Sequence, residues 1–137
     1  IVAIHGIGAH PDDTWTWKRP DERTNWLADP NMLPKAVPNA RIMRFGYEST
    51  WFGTEENEPK RTNVSDVAET LLTELHFHRG VSLGDATRPI IFIAHSYGGL
   101  VLLQALRRSF DNPKKWSSPF RYTAGLVFFG TPFRGRA

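Results

Sequence analysis

The chain contains no cysteine. That excludes a disulfide framework, a thiolate nucleophile and a cysteine-ligated zinc, and it fits a reducing compartment. Long apolar runs are missing too. The longest stretches, residues 90–94 and 100–103, fall far short of the ~18 residues of a membrane span. There is no initiator methionine, and Ile1 opens directly on the apolar run Ile1-Val2-Ala3-Ile4. The sequence therefore leaves open whether a signal or targeting segment precedes it. Internal repeats and low-complexity tracts are absent. One further absence bears on chemistry: no histidine follows Ser96, and Asp111 is the single acidic residue after it.

What is present suits one folded unit. The 137 residues are 40% hydrophobic and 12% aromatic, enough for a core and unlike a disordered chain. Lysine and arginine number 17 against 14 aspartate and glutamate, a formal charge of +3. The balance is uneven, −2 over residues 1–68 and +5 over residues 69–137. A basic half can face an anionic partner. However, Arg107-Arg108 and Lys114-Lys115 fall near the end of an expected helix, where cations complement the helix dipole. We read them as a solvated basic face. No nucleic-acid-reading motif accompanies them, so no nucleic-acid partner is expected.

Strand and helix patterns alternate. Residues 1–4 form a continuous apolar run, as in a buried parallel strand, and His5-Gly6-Ile7-Gly8 breaks it. Residues 9–40, punctuated by five prolines, read as a long loop with a short helical piece at Trp26-Leu27. Residues 41–45 read as a second strand and residues 48–62 as a polar surface loop. Val64, Val67, Ala68, Leu71, Leu72 and Leu75 recur at helical spacing. They predict a helix over residues 63–78, capped by Asn63 or Ser65 and ended by Gly80. Residues 90–94 form a third strand. Residues 100–110 form a helix with apolar Leu100, Val101, Leu103 and Leu106, and residues 125–129 a fourth strand. The expected fold class is α/β, a parallel sheet with helices on both faces.

The most informative segment is Ala94-His95-Ser96-Tyr97-Gly98-Gly99. It lies between an apolar strand and a helix, with small residues two before and two after a serine. That is the G-x-S-x-G nucleophile elbow with Ala94 in the first glycine position. The tight turn lifts the serine Oγ above the sheet, and the helix that follows aims its first N–H groups at the site. The Tyr97 N–H is then placed to donate to an oxyanion. His5-Gly6-Ile7-Gly8 leaves the first strand and can supply a second donor, the N–H of Ile7 or of Gly8. It lacks the full G-x-G-x-x-G pattern and any P-loop lysine, so a nucleotide cofactor is not expected. His76-x-His78 has the wrong spacing for two ligands on one helix face, so no metal is expected either. The five tryptophans read as loop and core packing, although they would also suit an apolar substrate.

Several segments occur together in one order: Ile4-His5-Gly6-Ile7-Gly8-Ala9-His10-Pro11, Thr14-Trp15-Thr16, Trp26-Leu27, Leu33-Pro34, Asn39-Ala40-Arg41-Ile42, Phe45-Gly46-Tyr47, the elbow, and Phe129-Gly130-Thr131-Pro132. In this the chain resembles the lipase-like serine-esterase family of α/β-hydrolases. That family includes the mitochondrial serine-active-site lipase type and the N-terminal hydrolase domains of fungal NACHT and ankyrin-repeat receptors. More distantly, the chain is similar to GPI inositol deacylase. The resemblance implies hydrolysis of an acyl or lipid ester through Ser96, with Ile7 and Tyr97 as oxyanion donors. His5, Gly6, Gly8 and His95 would line the substrate site. It also implies an intracellular setting, cytoplasmic, mitochondrial or at a membrane, and NACHT or repeat domains following in the parent chain.

A serine nucleophile needs a base, and the base an orienting acid. In α/β-hydrolases these follow the serine in chain order, and here neither a histidine nor a well-placed acid does. Residues 1–137 thus read as the N-terminal portion of a single α/β-hydrolase domain that lacks the C-terminal strands. Alone it is expected to be inactive and to expose a sheet edge. The alternative reading is a non-catalytic, hydrolase-like signalling or interaction module.

Overall fold

The computed structural model describes residues 1–47, 63–80 and 84–134. In chain order the elements are β1 (Val2–Ile4), β2 (Thr16–Arg19), β3 (Glu22–Asn25), α1 (Leu33–Ala36), β4 (Met43–Phe45), α2 (Val64–Arg79), β5 (Ile90–His95), α3 (Gly98–Asp111) and β6 (Thr123–Phe129). Four strands form one sheet in the order β4-β1-β5-β6, every pair parallel. β2 and β3 form a separate antiparallel hairpin. This is the expected α/β class.

The order of the strands explains the layers. From β1 the chain moves to β4 on one side. It then returns past β1 to β5 and continues to β6. Right-handed crossovers that run in opposite directions lie on opposite faces of a sheet. Accordingly α2 and α3 pack together on one face, over Val2, Ile4, Phe45, Ile90, Phe92 and Ala94. The β1-to-β4 connection covers the other face, where Trp15 and Leu27 bury Ala3 and Ile93, and Trp26 and Leu33 pack alongside.

The α2 pattern matches its sequence. Val67, Ala68, Leu71, Leu72 and Leu75 are buried, and the Asn63 side chain accepts the Ser65 N–H at 2.9 Å as the N-cap. In α3 only some of the apolar residues are buried. Val101, Leu102, Ala105 and Leu106 face the core with Gly98 and Ser109, while Leu103 is exposed and Leu100 half-buried. The phase is set by Gly98. A side chain there would run into the carbonyl oxygens of His5 and Ile4. That turn of the helix therefore lies on the end of β1, and the buried positions follow from it.

The long loop expected over residues 9–40 is more ordered than its composition implied. A 3-10 turn at Asp13–Trp15 leads into the β2–β3 hairpin, and α1 lies beyond the expected Trp26-Leu27 position. The hairpin strands, Thr16–Arg19 and Glu22–Asn25, are largely exposed and polar, so no apolar alternation marked them. The turn signal was Pro20-Asp21 between them. The expected surface loop at residues 48–62 and Trp51 lie outside the described residues. No helix among the described residues is long and apolar enough to cross a membrane.

Candidate functional site

β1 and β5 are neighbours whose outgoing connections leave in opposite directions. Such a switch point opens a crevice at the carboxyl ends of the strands. Here His5-Gly6 continues β1 and Ser96 follows β5, so the two sequence motifs meet at this point.

Ser96 is the corner itself. Its φ is +52°, and it is the one non-glycine residue with positive φ among the described residues. A left-handed conformation costs an L-residue roughly 1–2 kcal/mol. Three neighbours hold the corner. The Ser96 N–H donates to the Phe129 carbonyl at 2.8 Å, at the end of β6. The Ser96 carbonyl accepts the Gly99 N–H at 3.1 Å, in the first turn of α3. On the β1 side, a Cβ on Gly6 would stand 3.1 Å from Ser96 Cβ and 3.5 Å from its Oγ. A side chain at Gly6 would press on the serine and the His95 carbonyl, so glycine lets the loop after β1 lie this close without strain. Ala94 is fully buried below the corner, and Gly99 abuts the Thr131 side chain above it.

His5 supports the loop from behind. It is completely buried. Its Nδ1 and the Gly6 carbonyl are 2.8 Å apart, and its Nε2 accepts the Tyr47 N–H at 3.3 Å. That pairing requires a proton on Nδ1 and none on Nε2, a neutral ring. Burial above all holds its pKa below the ordinary histidine value, while the bond to Gly6 works the other way. With both nitrogens engaged, His5 reaches no proton on Ser96.

The other expected site residues are placed as follows. Tyr97 heads α3 and is exposed, Ile7 is half-buried, and Gly8 is exposed at φ +77°. His95 is exposed, its ring edge-on to Trp15 with centroids 6.5 Å apart. His10, exposed, lies 3.9 Å from the Asp12 carboxylate. His76 and His78 are exposed at the end of α2, and His78 reaches Glu74 at 3.4 Å. Among the described residues, Ser96 Oγ makes no hydrogen bond to a histidine. No group of three or more potential metal ligands occurs among them either.

Tyr47 is the residue whose part the sequence did not show. It stacks on His5 with ring centroids 4.2 Å apart, and its hydroxyl donates to the His5 carbonyl at 2.9 Å. The available signal was its position just after a strand, in Phe45-Gly46-Tyr47.

The chain is similar to the protein SERAC1 of Danio rerio, with 29% identity over 149 residues covering 98% of this chain and 22% of that protein. SERAC1 of Homo sapiens is 24% identical over 147 residues, with the same coverage. SERAC1 of Mus musculus is 29% identical over 104 residues, 75% of this chain and 15% of that protein. The chain thus spans about a fifth of the length of the curated relatives it matches. No family model matches the chain, and no solved structure matches it significantly.

Proposed function

We propose that this chain carries the nucleophile and oxyanion half of a serine hydrolase that cleaves a carboxylic ester, an acyl or lipid ester, through an acyl-Ser96 intermediate. The observation that carries the reading is the left-handed Ser96 at the β5–α3 corner with Gly6 against it. A serine placed there projects its Oγ where the chain ends of two strands and a helix N-terminus converge.

In this mechanism Ser96 Oγ attacks the ester carbonyl carbon and gives up its proton to a base. The carbonyl oxygen becomes an oxyanion, stabilised by the backbone N–H groups of Tyr97 and Ile7. Collapse expels the alcohol, which takes the proton, and leaves the acyl group on Ser96. Water then repeats the sequence and releases the acid. Among the described residues no histidine reaches Ser96 Oγ, and His5 is held by its own bonds, so this mechanism assigns the base and its orienting acid to groups outside the site described above. An intracellular setting belongs to the same proposal and fits the absence of cysteine.

The test is covalent labelling. The full-length protein is treated with a fluorophosphonate probe, and the modified residue is mapped by mass spectrometry. Labelling at Ser96, lost in Ser96→Ala together with hydrolysis of short- and long-chain acyl esters, is the expected result. The 137-residue segment alone is expected to label weakly. An unlabelled full-length protein would instead favour a hydrolase-like interaction module, and strong Ser96-dependent labelling of the segment would show that it holds its own base.

A further inference from the structure

Gly6 lies against Ser96, and the orientation of the Gly6–Ile7 peptide decides which way the Ile7 N–H points. The Gly6 carbonyl is anchored twice, by His5 Nδ1 at 2.8 Å and by the Ala9 N–H at 3.3 Å. The described residues contain no cis peptide bond. In a trans peptide the C=O and N–H of one unit point in opposite directions. Anchoring the carbonyl therefore aims the Ile7 N–H away from the anchor, and it bonds to no protein group among the described residues. An unpaired backbone donor held at a fixed angle beside a nucleophile is what an oxyanion needs.

The anchor is only as fixed as the His5 ring, and Tyr47 braces that residue. Tyr47 contacts His5 three ways, two at the ring and one at its backbone. The Tyr47 N–H donates to Nε2 at 3.3 Å, the phenol ring stacks on the imidazole at 4.2 Å and 14°, and the hydroxyl donates to the His5 carbonyl at 2.9 Å. The first bond makes Nε2 an acceptor, which leaves the proton on Nδ1, where it bonds Gly6. The third fixes the backbone at the end of β1, on which Gly98 of α3 rests.

We infer that Tyr47 is a positioning residue: through the His5 ring it sets the tautomer and the peptide orientation that aim the Ile7 N–H at the oxyanion formed on Ser96. The catalytic consequence rests on the hydrolase reading above, while the clamp itself does not. Burial pushes the Tyr47 hydroxyl up from the ordinary tyrosine value, so it stays a donor at every working pH.

Two variants of the full-length protein separate the parts. Tyr47→Phe removes the hydroxyl and keeps the stack and the backbone N–H. Tyr47→Leu also removes the stack. Losing an oxyanion donor outright costs about 10²–10³ in rate, so misaiming one is expected to lower kcat about tenfold in Tyr47→Phe and further in Tyr47→Leu. KM stays within about twofold, because the ester ground state gains little from the donor. Affinity for a trifluoromethyl ketone, which forms the tetrahedral adduct on the serine, falls in step with kcat. In parallel, ¹⁵N spectra of the His5 ring report its tautomer, Nδ1-protonated in the wild type and mixed or protonated in Tyr47→Leu. Unchanged kcat and ketone affinity in both variants would overturn the inference. So would a loss of activity that merely tracks a loss of folded protein. If Ser96→Ala leaves the activity intact, it is the hydrolase reading that fails. The His5 spectra then decide the clamp alone, a shifted tautomer in Tyr47→Leu upholding it and an unchanged one refuting it.

Discussion

At the scale of single residues, Ser96 and its glycines carry the argument. The φ of +52° at Ser96 is retained because the Phe129 carbonyl, the Gly99 N–H and the Gly6 backbone hold it from three sides. Any side chain at this position bears the left-handed penalty, and glycine does not. Replacing the serine therefore separates conformation from chemistry. We expect Ser96→Gly to be more stable than Ser96→Ala by about 1 kcal/mol, measured by urea denaturation, with neither variant labelled by a fluorophosphonate. Equal stabilities would mean that the corner relaxes when the hydroxyl is lost. The serine was legible in the sequence because its spacing to Ala94 and Gly98 reflects steric limits of the turn. Tyr47 was not, because its contacts to His5 lie 42 residues apart in sequence and nothing local announces them. The same holds for the neutral state of His5. Its residue type suggested a site-lining group, and only the geometry showed both ring nitrogens taken.

At the scale of elements, the helices show how far periodicity reaches. The α2 face was readable because its apolar residues recur without interruption. In α3 the apolar residues alone do not single out the buried face, since Leu100 and Leu103 are as apolar as Leu102 and Leu106. What selects between them is Gly98 on the carbonyls of Ile4 and His5, a tertiary contact. The ends of the helices are tied by charge in ways composition alone did not show. Glu69 on α2 takes Arg108 of α3 at 2.7 Å and Lys115 beyond it at 3.1 Å, which accounts for part of the basic second half. Both partners hold the Glu69 carboxyl below the usual range, Lys115 foremost. Arg79 does more. It is buried at the end of α2 and donates to the Arg88 carbonyl at 2.7 Å, the Ala86 carbonyl at 3.0 Å and Ser118 Oγ at 3.2 Å. It thereby fixes the segment that leads into β5, and so the strand that ends in Ser96. Hydrogen bonds from a charged donor contribute about 1.5–3 kcal/mol net, and a buried carbonyl left unpaired costs more. Arg79→Leu is expected to lower the unfolding free energy by about 3 kcal/mol, whereas Arg107→Leu, whose exposed pair with Asp111 spans one helix turn, changes it by less than about 0.5 kcal/mol. A denaturation series on both variants checks the contrast, and similar effects would remove Arg79 from this role.

At the scale of the whole molecule, the strand order places the switch point between β1 and β5, and that order puts two motifs 90 residues apart side by side. Alternation of strands and helices implied a parallel sheet, but not which strands are neighbours. The order follows from right-handed crossovers only once the direction of each connection is known. The same topology leaves β6 at the edge. Beyond the cover of Trp15 and Leu27, the sheet face exposes Ile91 at 41%, Val127 at 40% and Phe129 at 47%. Ile91 pairs with Gly125, and Val127 and Phe129 follow at alternate positions of β6, so they share one face of the strand pair at the edge of the sheet formed by the described residues. An exposed apolar edge of this kind invites pairing with another chain, and a charge placed on it is the usual defence. The 137-residue segment, prepared alone, should therefore self-associate at micromolar concentration. Val127→Lys should shift it towards monomer in sedimentation velocity, because the lysine puts a solvated charge on the exposed strand while removing little buried area. Leu72→Lys, by contrast, buries a charge in the fully enclosed α2 face and should unfold the segment. A monodisperse wild-type segment at about 100 μM would show that the edge is protected by its own twist and by neighbouring residues. The exposed surface would then carry no cost that a further strand or partner is needed to offset.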